Sequence, residues 1–236
     1  MEYQNSISYS GGKVLALSHL LRKVFLLMGL GVGVTAVVAW YFANNQALFS
    51  LLVNERGMSG LGIGVMFAPL IFVLIMSFGY QRLSAAALAL LFGAYSLING
   101  VSFSFIFMVY TAASVYKTFA IAAAMFLIMA VLGYTTKVDL SRFGSIMIMG
   151  LFGLIAASLV NLFMKSVALD YFISMAGVII FTGLTAWDVQ KIKRLGDTMG
   201  SHGEAFNKLA VMGALTLYLD FINLFLFLLR FFGNRK

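Results

Sequence analysis

Residues 209–232 read LAVMGALTLYLDFINLFLFLLRFF, and the only charged side chains in that run are Asp220 and Arg230. About 20 apolar residues at a rise of 1.5 Å each cross a hydrocarbon core of about 30 Å, so the run predicts a membrane-spanning helix. Thr216, Asp220 and Asn223 recur in it at i, i+4 and i+7 and share one helix face. Such a polar stripe must face protein or water rather than lipid, and its Leu- and Phe-rich flanks place this helix at or near the centre of a bundle. Asp220 lies about 15 Å of helix rise from Arg230 and farther from Lys208, close to mid-bilayer. An ionised carboxylate there costs on the order of 3 kcal/mol, so a chain that carries one is expected to use it.

Six further segments, near 24–42, 61–80, 85–109, 119–134, 143–163 and 171–189, are long and apolar enough to span. The chain is 236 residues long, 62% hydrophobic and 10% charged, where an average soluble domain is about 25% charged. A mean hydropathy of +0.99 agrees. The expected fold is an all-α polytopic membrane protein, a seven-transmembrane-helix bundle with the last helix central. Its parts are a polar N-terminal segment (1–23), a single seven-helix domain (24–232) and a basic tail (233–236). No connection is long enough to bury a core of its own. The longest interior one is 191–208, and 81–84 reads as a tight turn. Residues 1–20 lack a signal-peptide core, so the first hydrophobic helix is expected to direct insertion.

Several function classes fall away. Without cysteine there are no disulfides, thiolate metal sites or cysteine nucleophiles. His19 and His202 read as solvated residues. The net charge of +8 fits Lys and Arg gathered beside anionic lipid better than nucleic-acid binding. With the N-terminus in the cytoplasm, most basic residues lie inside, but Arg230, Arg235 and Lys236 fall outside. Two readings stay open: the last segment re-enters and returns the C-terminus to the cytoplasm, or the last helix tolerates its charges. Gly29-x-x-x-Gly33 and Gly60-x-x-x-Gly64 predict close helix approach. Pro69 predicts a kink in the second helix, with a hinge as the alternative. Trp40, Tyr41, Tyr80, Tyr134, Tyr171 and Trp187 fit interfacial belts.

A second carboxylate, Asp188, ends the sixth segment, with Thr185 on its face. The third segment carries Tyr95, Asn99 and Ser102 at the same polar spacing, and the fifth carries Ser158 and Asn161. Asn99, Ser102 and Asn161 read as glue between helices, worth about 0.6 kcal/mol each. Asp188 is either an interfacial residue beside Lys191 or the partner of Asp220. At a separation of about 4 Å and an effective dielectric near 20, two such charges repel by about 4 kcal/mol. The pair would then share one proton, whose loss charges the interior: a pH-sensitive gate or a cation site. One geometric condition applies. Asp188 is only about 4.5 Å of rise from Lys191, whereas Asp220 is about 18 Å from Lys208. They meet only if the sixth helix runs deep with Lys191 snorkelling, or if the last helix starts well outside the membrane.

Leu217-Tyr218-Leu219-Asp220-Phe221-Ile222-Asn223-Leu224-Phe225, followed by Leu228-Leu229-Arg230, closely resembles the C-terminal signature of the Bax inhibitor-1 family, also called the transmembrane Bax inhibitor motif family. Thr185-Ala186-Trp187-Asp188-Val189-Gln190-Lys191-Ile192 is similar to the matching segment of its sixth helix, and the stretch from Gly133 to Ser141 to a further family motif. The likeness covers nearly the whole chain and resembles a bacterial inner-membrane member. It implies a seven-helix bundle with the last helix at its centre, and a pH-sensitive calcium leak. The two family aspartates carry over to Asp188 and Asp220. The resemblance also implies a basic residue at the end of the second helix that can pair with them, and Arg82 holds the comparable place. Some bacterial members interact with a membrane-anchored AAA protease. Some relatives carry an acid within the second helix, whereas this chain has none between Glu55 and Asp139.

The expectation is therefore a pH-sensitive cation leak, for calcium, gated by Asp188 and Asp220. Thr185, Thr216 and Asn223 support the pair, and Arg82 is its candidate gate partner. Calcium prefers several oxygen ligands, so two carboxylates with neutral helpers make a weak, transient metal site. No cofactor is expected beyond calcium as the permeant ion, and no enzyme activity. An intramembrane aspartyl protease would have suitable chemistry, but the Gly-x-Gly-Asp and Pro-Ala-Leu elements of such enzymes are missing. A non-catalytic regulator of a membrane-bound protease or stress pathway is the alternative. A proton-coupled carrier lacks the paired broken helices that build midplane sites.

Overall fold

Charge ends a membrane span without ending a helix, and this sets the lengths in the computed structural model. The backbone is described over residues 2–54, 57–198 and 203–236, and side chains from residue 19 within those ranges. In chain order the elements are α1 (Glu2–Asn44), α2 (Gln46–Phe49), β1 (Val53–Asn54), β2 (Gly57–Met58), α3 (Gly60–Gly79), α4 (Ala85–Phe103), α5 (Ile106–Val109), α6 (Ala112–Thr135), α7 (Ser141–Met164), α8 (Val167–Thr198) and α9 (Glu204–Phe232). Seven helical stretches are long and apolar enough to cross a membrane, as the sequence predicts. In α9, 67% of the most apolar window is buried, against at most 39% in any other span, so the last helix is the most interior one.

The helix ends refine the sequence reading in three places. The sixth helix does not stop where its apolar run does, at Val189: α8 continues through Lys191, Lys193 and Arg194 to Thr198, and α9 begins at Glu204. The supposed long connection 191–208 is therefore mostly helix, because Lys, Arg, Gln and Leu are good helix formers in water as in lipid. The third span covers Ala85–Val109, as read from the sequence, but in two helical pieces. It turns at Ser104, whose hydroxyl donates to Val101 O at 2.7 Å and competes with the helix ladder, before the short α5 resumes. The re-entrant reading of the last span is set aside, since α9 is unbroken to Phe232. His202 lies outside the described residues.

The chain forms two compact units. The first comprises Met1–Val109 with Gly196–Leu215. Here α4 packs against α1 and α3. The Thr35 hydroxyl donates to Ser96 O at 2.9 Å between the buried faces of α1 and α4. Close approach occurs at Gly31 and Gly62, not at the expected glycines. A Cβ on Gly31 would sit 2.7 Å from the Phe92 ring, and one on Gly62 2.3 Å from Leu52 O. Gly29, Gly33, Gly60 and Gly64 face open space. Two residues along a helix is about 200° around it, so both small-residue motifs point to the opposite side. The α3–α4 turn at 81–84 is tight, as expected, and the start of α9 holds it. Glu204 Oε1 accepts the Ala85 N–H at 2.6 Å, and Lys208 Nζ donates to Tyr80 O at 3.4 Å. Helix α3 continues through Pro69 without a break.

The second unit comprises Tyr110–Leu195 with Thr216–Lys236: α6, α7, most of α8 and the later part of α9. Glycine lets α6 and α7 close on α8. A Cβ on Gly133 would meet Ala186 O at 2.2 Å, and one on Gly144 the Trp187 ring at 2.2 Å. Phe119 and Phe126 of α6 meet Phe221 of α9 edge to face. The α6–α7 connection is clamped to α8. Gln190 accepts the Leu140 N–H at 2.9 Å and donates to Val138 O at 2.8 Å. Arg194 pairs with Asp139 at 2.8 Å, and Lys193 Nζ donates to Tyr134 O at 2.8 Å. The two stretches singled out around Gly133–Ser141 and Thr185–Ile192 are thus a single contact. Arg230 and, at 3.8 Å, Arg235 meet Asp170, which gives the basic C-terminus a local counter-charge.

Candidate functional site

Between α7, α8 and α9, all within the second unit, lies a cleft of about 570 Å³. Its α7 wall is aliphatic apart from Ser158. Phe181, Leu184, Trp187 and Asp188 line it from α8, and Thr216, Leu219, Asp220, Asn223 and Phe227 from α9. The stripe read from residues 216, 220 and 223 therefore faces a cavity, as the rule against lipid exposure of polar groups requires.

The cleft brings Asp188 and Asp220 together. They are 7% and 5% exposed, and their carboxyls lie within hydrogen-bonding reach of each other. Asp220 Oδ2 is buried and receives no bond from any amide, hydroxyl or ammonium among the described residues. An ionised carboxylate only accepts hydrogen bonds, so a bond between the two needs one proton shared by the pair. Because α8 runs on to Thr198, Asp188 is well inside a helix rather than at its end. Lys191, the nearest cation to Asp188, is exposed and places its ammonium 4.9 Å over the Trp187 ring. Trp187 packs on Gly144 and lines the cleft next to Asp188.

The supporting residues divide. Thr185 is fully buried and its hydroxyl donates to Phe181 O at 2.8 Å, tied to its own helix. Asn223 likewise donates to Leu219 O at 2.8 Å while lining the cleft, and Thr216 lines it one turn before Asp220. Arg82 is exposed on the α3–α4 turn of the first unit and makes no ion pair among the described residues. Asn161 is structural: its Oδ1 accepts the Ser166 N–H at 3.0 Å where α7 gives way to α8.

The sequence reading missed Gln190 and Asp170. Gln190 is 5% exposed and holds the α6–α7 connection two residues beyond Asp188. Asp170 stands just past the short α7–α8 connection and pairs with Arg230 near the end of α9. No group of three or more His, Cys, Asp or Glu gathers among the described residues, so the site's acidic ligands are the pair alone.

Residues 17–236 match the family model described as inhibitor of apoptosis-promoting Bax1. The chain is 47% identical to inner membrane protein YbhL of Escherichia coli strain K12 over 217 residues, covering 92% of each chain. It is 43% identical to an uncharacterized protein of Borreliella burgdorferi over 224 residues, 95% of each. It is 39% identical to an uncharacterized membrane protein of Streptococcus pyogenes serotype M1 over 220 residues, 92% of this chain and 93% of that one. With its seven spans and these matches across nearly its full length, the chain belongs to the Bax inhibitor family and is a multi-pass protein of the bacterial inner membrane.

Proposed function

We propose that this protein is a cation leak, for calcium, whose conduction is set by the protonation of Asp188 and Asp220. The observation that carries the reading is a buried pair of carboxyls in contact, lining a cleft among membrane-spanning helices. With one proton the pair is hydrogen-bonded and ties α8 to α9. Without it, two like charges face each other in a site of low dielectric, and they relax by moving apart or by drawing in a cation. The charged surroundings are sparse among the described residues: α7 contributes no ionisable group to the cleft, α9 only Asp220, and Lys191 on α8 is the one cation that acts on Asp188. The pair's charge is therefore the main variable of the pathway.

Calcium suits oxygen ligands in number. Two carboxylates, helped by Asn223 and Thr216, hold it weakly enough to let it leave, which is what conduction needs. The pair acts as a switch and a passing ligand, not as a catalyst, and no cofactor takes part. The test is calcium flux into proteoliposomes holding the purified chain, compared with empty vesicles of the same lipid. Flux above the empty vesicles supports the leak. Its absence, from protein shown to be folded, sinks the leak and favours a non-catalytic regulator with a membrane-bound protease as partner. Cleavage of a transmembrane substrate that disappears in Asp188→Asn would instead reveal an aspartyl protease.

A further inference from the structure

At the end of the second unit where α7 passes into α8 and α9 ends, a second cavity of about 660 Å³ is lined by Lys165, Arg230 and Arg235, with Asp170 as its only acid. Three cations and one anion leave it with an excess of two positive charges. Asp170 is already committed: it takes Arg230, Arg235 at 3.8 Å, and the Asn161 amide at 3.5 Å. Lys165 has no hydrogen bond or ion pair among the described residues from its ammonium. Its backbone is left-handed, with φ of 50°, at the C-cap of α7, where its N–H donates to Asn161 O at 2.8 Å. Glycine is the residue that adopts this conformation freely. A lysine held there against its preference, with a free charge over a basic cavity, points to a ligand.

The rim says which kind. Leu162 and Val167, 68% and 84% exposed, line the cavity on either side of Lys165, and Phe163 and Met164 next to them in sequence are exposed as well. A free anion has no use for an apolar rim. An anionic phospholipid needs both parts: cations for its phosphate and apolar surface for its acyl chains. The location fits as well. Arg230 and Arg235 belong to the basic C-terminus that sat badly with the positive-inside pattern, and a bound anionic headgroup supplies the counter-charge that Asp170 alone does not.

We propose that this cavity binds the phosphodiester headgroup of an anionic phospholipid, with Lys165 and Arg235 contacting the phosphate and Arg230 held in place by Asp170. The site stands independently of the leak, although it shares Ser158 and Leu162 with the cleft of the carboxyl pair.

The test is native mass spectrometry of the purified full-length protein in neutral detergent, titrated with phosphatidylglycerol or with phosphatidylcholine. Thermal unfolding is measured in parallel. Lys165→Gly removes the ammonium while suiting the left-handed backbone, so it should fold at least as well as the wild type. Expected is a preference for phosphatidylglycerol that falls about fivefold in Lys165→Gly and about thirtyfold when Arg235→Gln is added. Phosphatidylglycerol should also raise the melting temperature of the wild type more than that of Lys165→Gly. Equal binding of the two lipids, or unchanged binding in a folded Lys165→Gly protein, would overturn the proposal. Inorganic phosphate stabilising the protein as well as phosphatidylglycerol does would make this a free-anion site and also overturn it.

Discussion

Asp188 on α8 and Asp220 on α9 present their carboxyls to one another inside one cleft, each almost fully buried. The cleft around them is lined by Leu, Ile, Phe and Trp side chains, with the hydroxyl of Ser158 on the α7 side and the hydroxyl of Thr216 and the amide of Asn223 on the α9 side. A pair so placed is largely shielded from solvent, and its proton count decides the local field. The first consequence concerns the path rather than the switch.

Ser158 contributes the one polar side chain of the α7 wall. Ser158→Trp should fill part of the cleft and lower flux at every pH by a similar factor, without moving the pH at which flux changes. Liposome flux measured across pH separates the two effects. A shifted profile with undiminished maximal flux would place conduction elsewhere.

Gly144→Ala should destabilise the protein by about 1–3 kcal/mol, because the new methyl group meets the Trp187 ring at 2.2 Å. Gly29→Ala, which meets nothing within 4 Å, should be neutral or stabilising by up to about 1 kcal/mol. Thermal unfolding in detergent compares them. Equal effects would contradict the assignment of the close-packed glycines.

The contrast between those glycines shows what the sequence could and could not carry. The polar stripe of residues 216, 220 and 223 was legible because periodicity along one helix defines a face. A glycine's role depends on which neighbour that face meets, and nothing within α1 distinguishes Gly31 from Gly29. The contact of Asp188 with Asp220 was readable as a possibility only. Hydropathy marks where α8 leaves the lipid, near Val189, while the helix itself ends at Thr198, and the depth of Asp188 depends on the second. Gln190 and Asp170 were lost for another reason. Their partners, Leu140 and Arg230, lie 50 and 60 residues away in sequence, and a single polar residue carries no mark of a distant partner.

Gln190→Leu should cost about 1–3 kcal/mol, since it strands the Leu140 N–H and the Val138 carbonyl that Gln190 satisfies. Amide exchange at Leu140 should quicken more than exchange in α9. Unchanged protection at Leu140 would mean the clamp is dispensable.

Asp139 supplies an acid-range control. The Ser141 backbone N–H, the Ser141 side chain and Arg194 draw its carboxyl down to about 2. A group lowered on folding stabilises above its ordinary value, about 3.9, and the benefit fades as pH falls through about 2. Wild type and Asp139→Asn should therefore differ in melting temperature at neutral pH and converge toward pH 2. Because that window lies far below neutrality, Asp139→Asn should leave the flux profile between about pH 6 and 8 unchanged. A displaced flux profile would implicate the loop in gating.

The most direct test of the central claim is calcium flux into proteoliposomes between about pH 6 and 8, for wild type and Asp220→Asn. A switch carrying one proton changes flux by up to about tenfold per pH unit. The account predicts such a dependence in the wild type and a flat profile in Asp220→Asn, which keeps the size of the side chain and loses its titration. A substituted protein that is folded, conducts and retains the wild-type pH dependence would contradict the account.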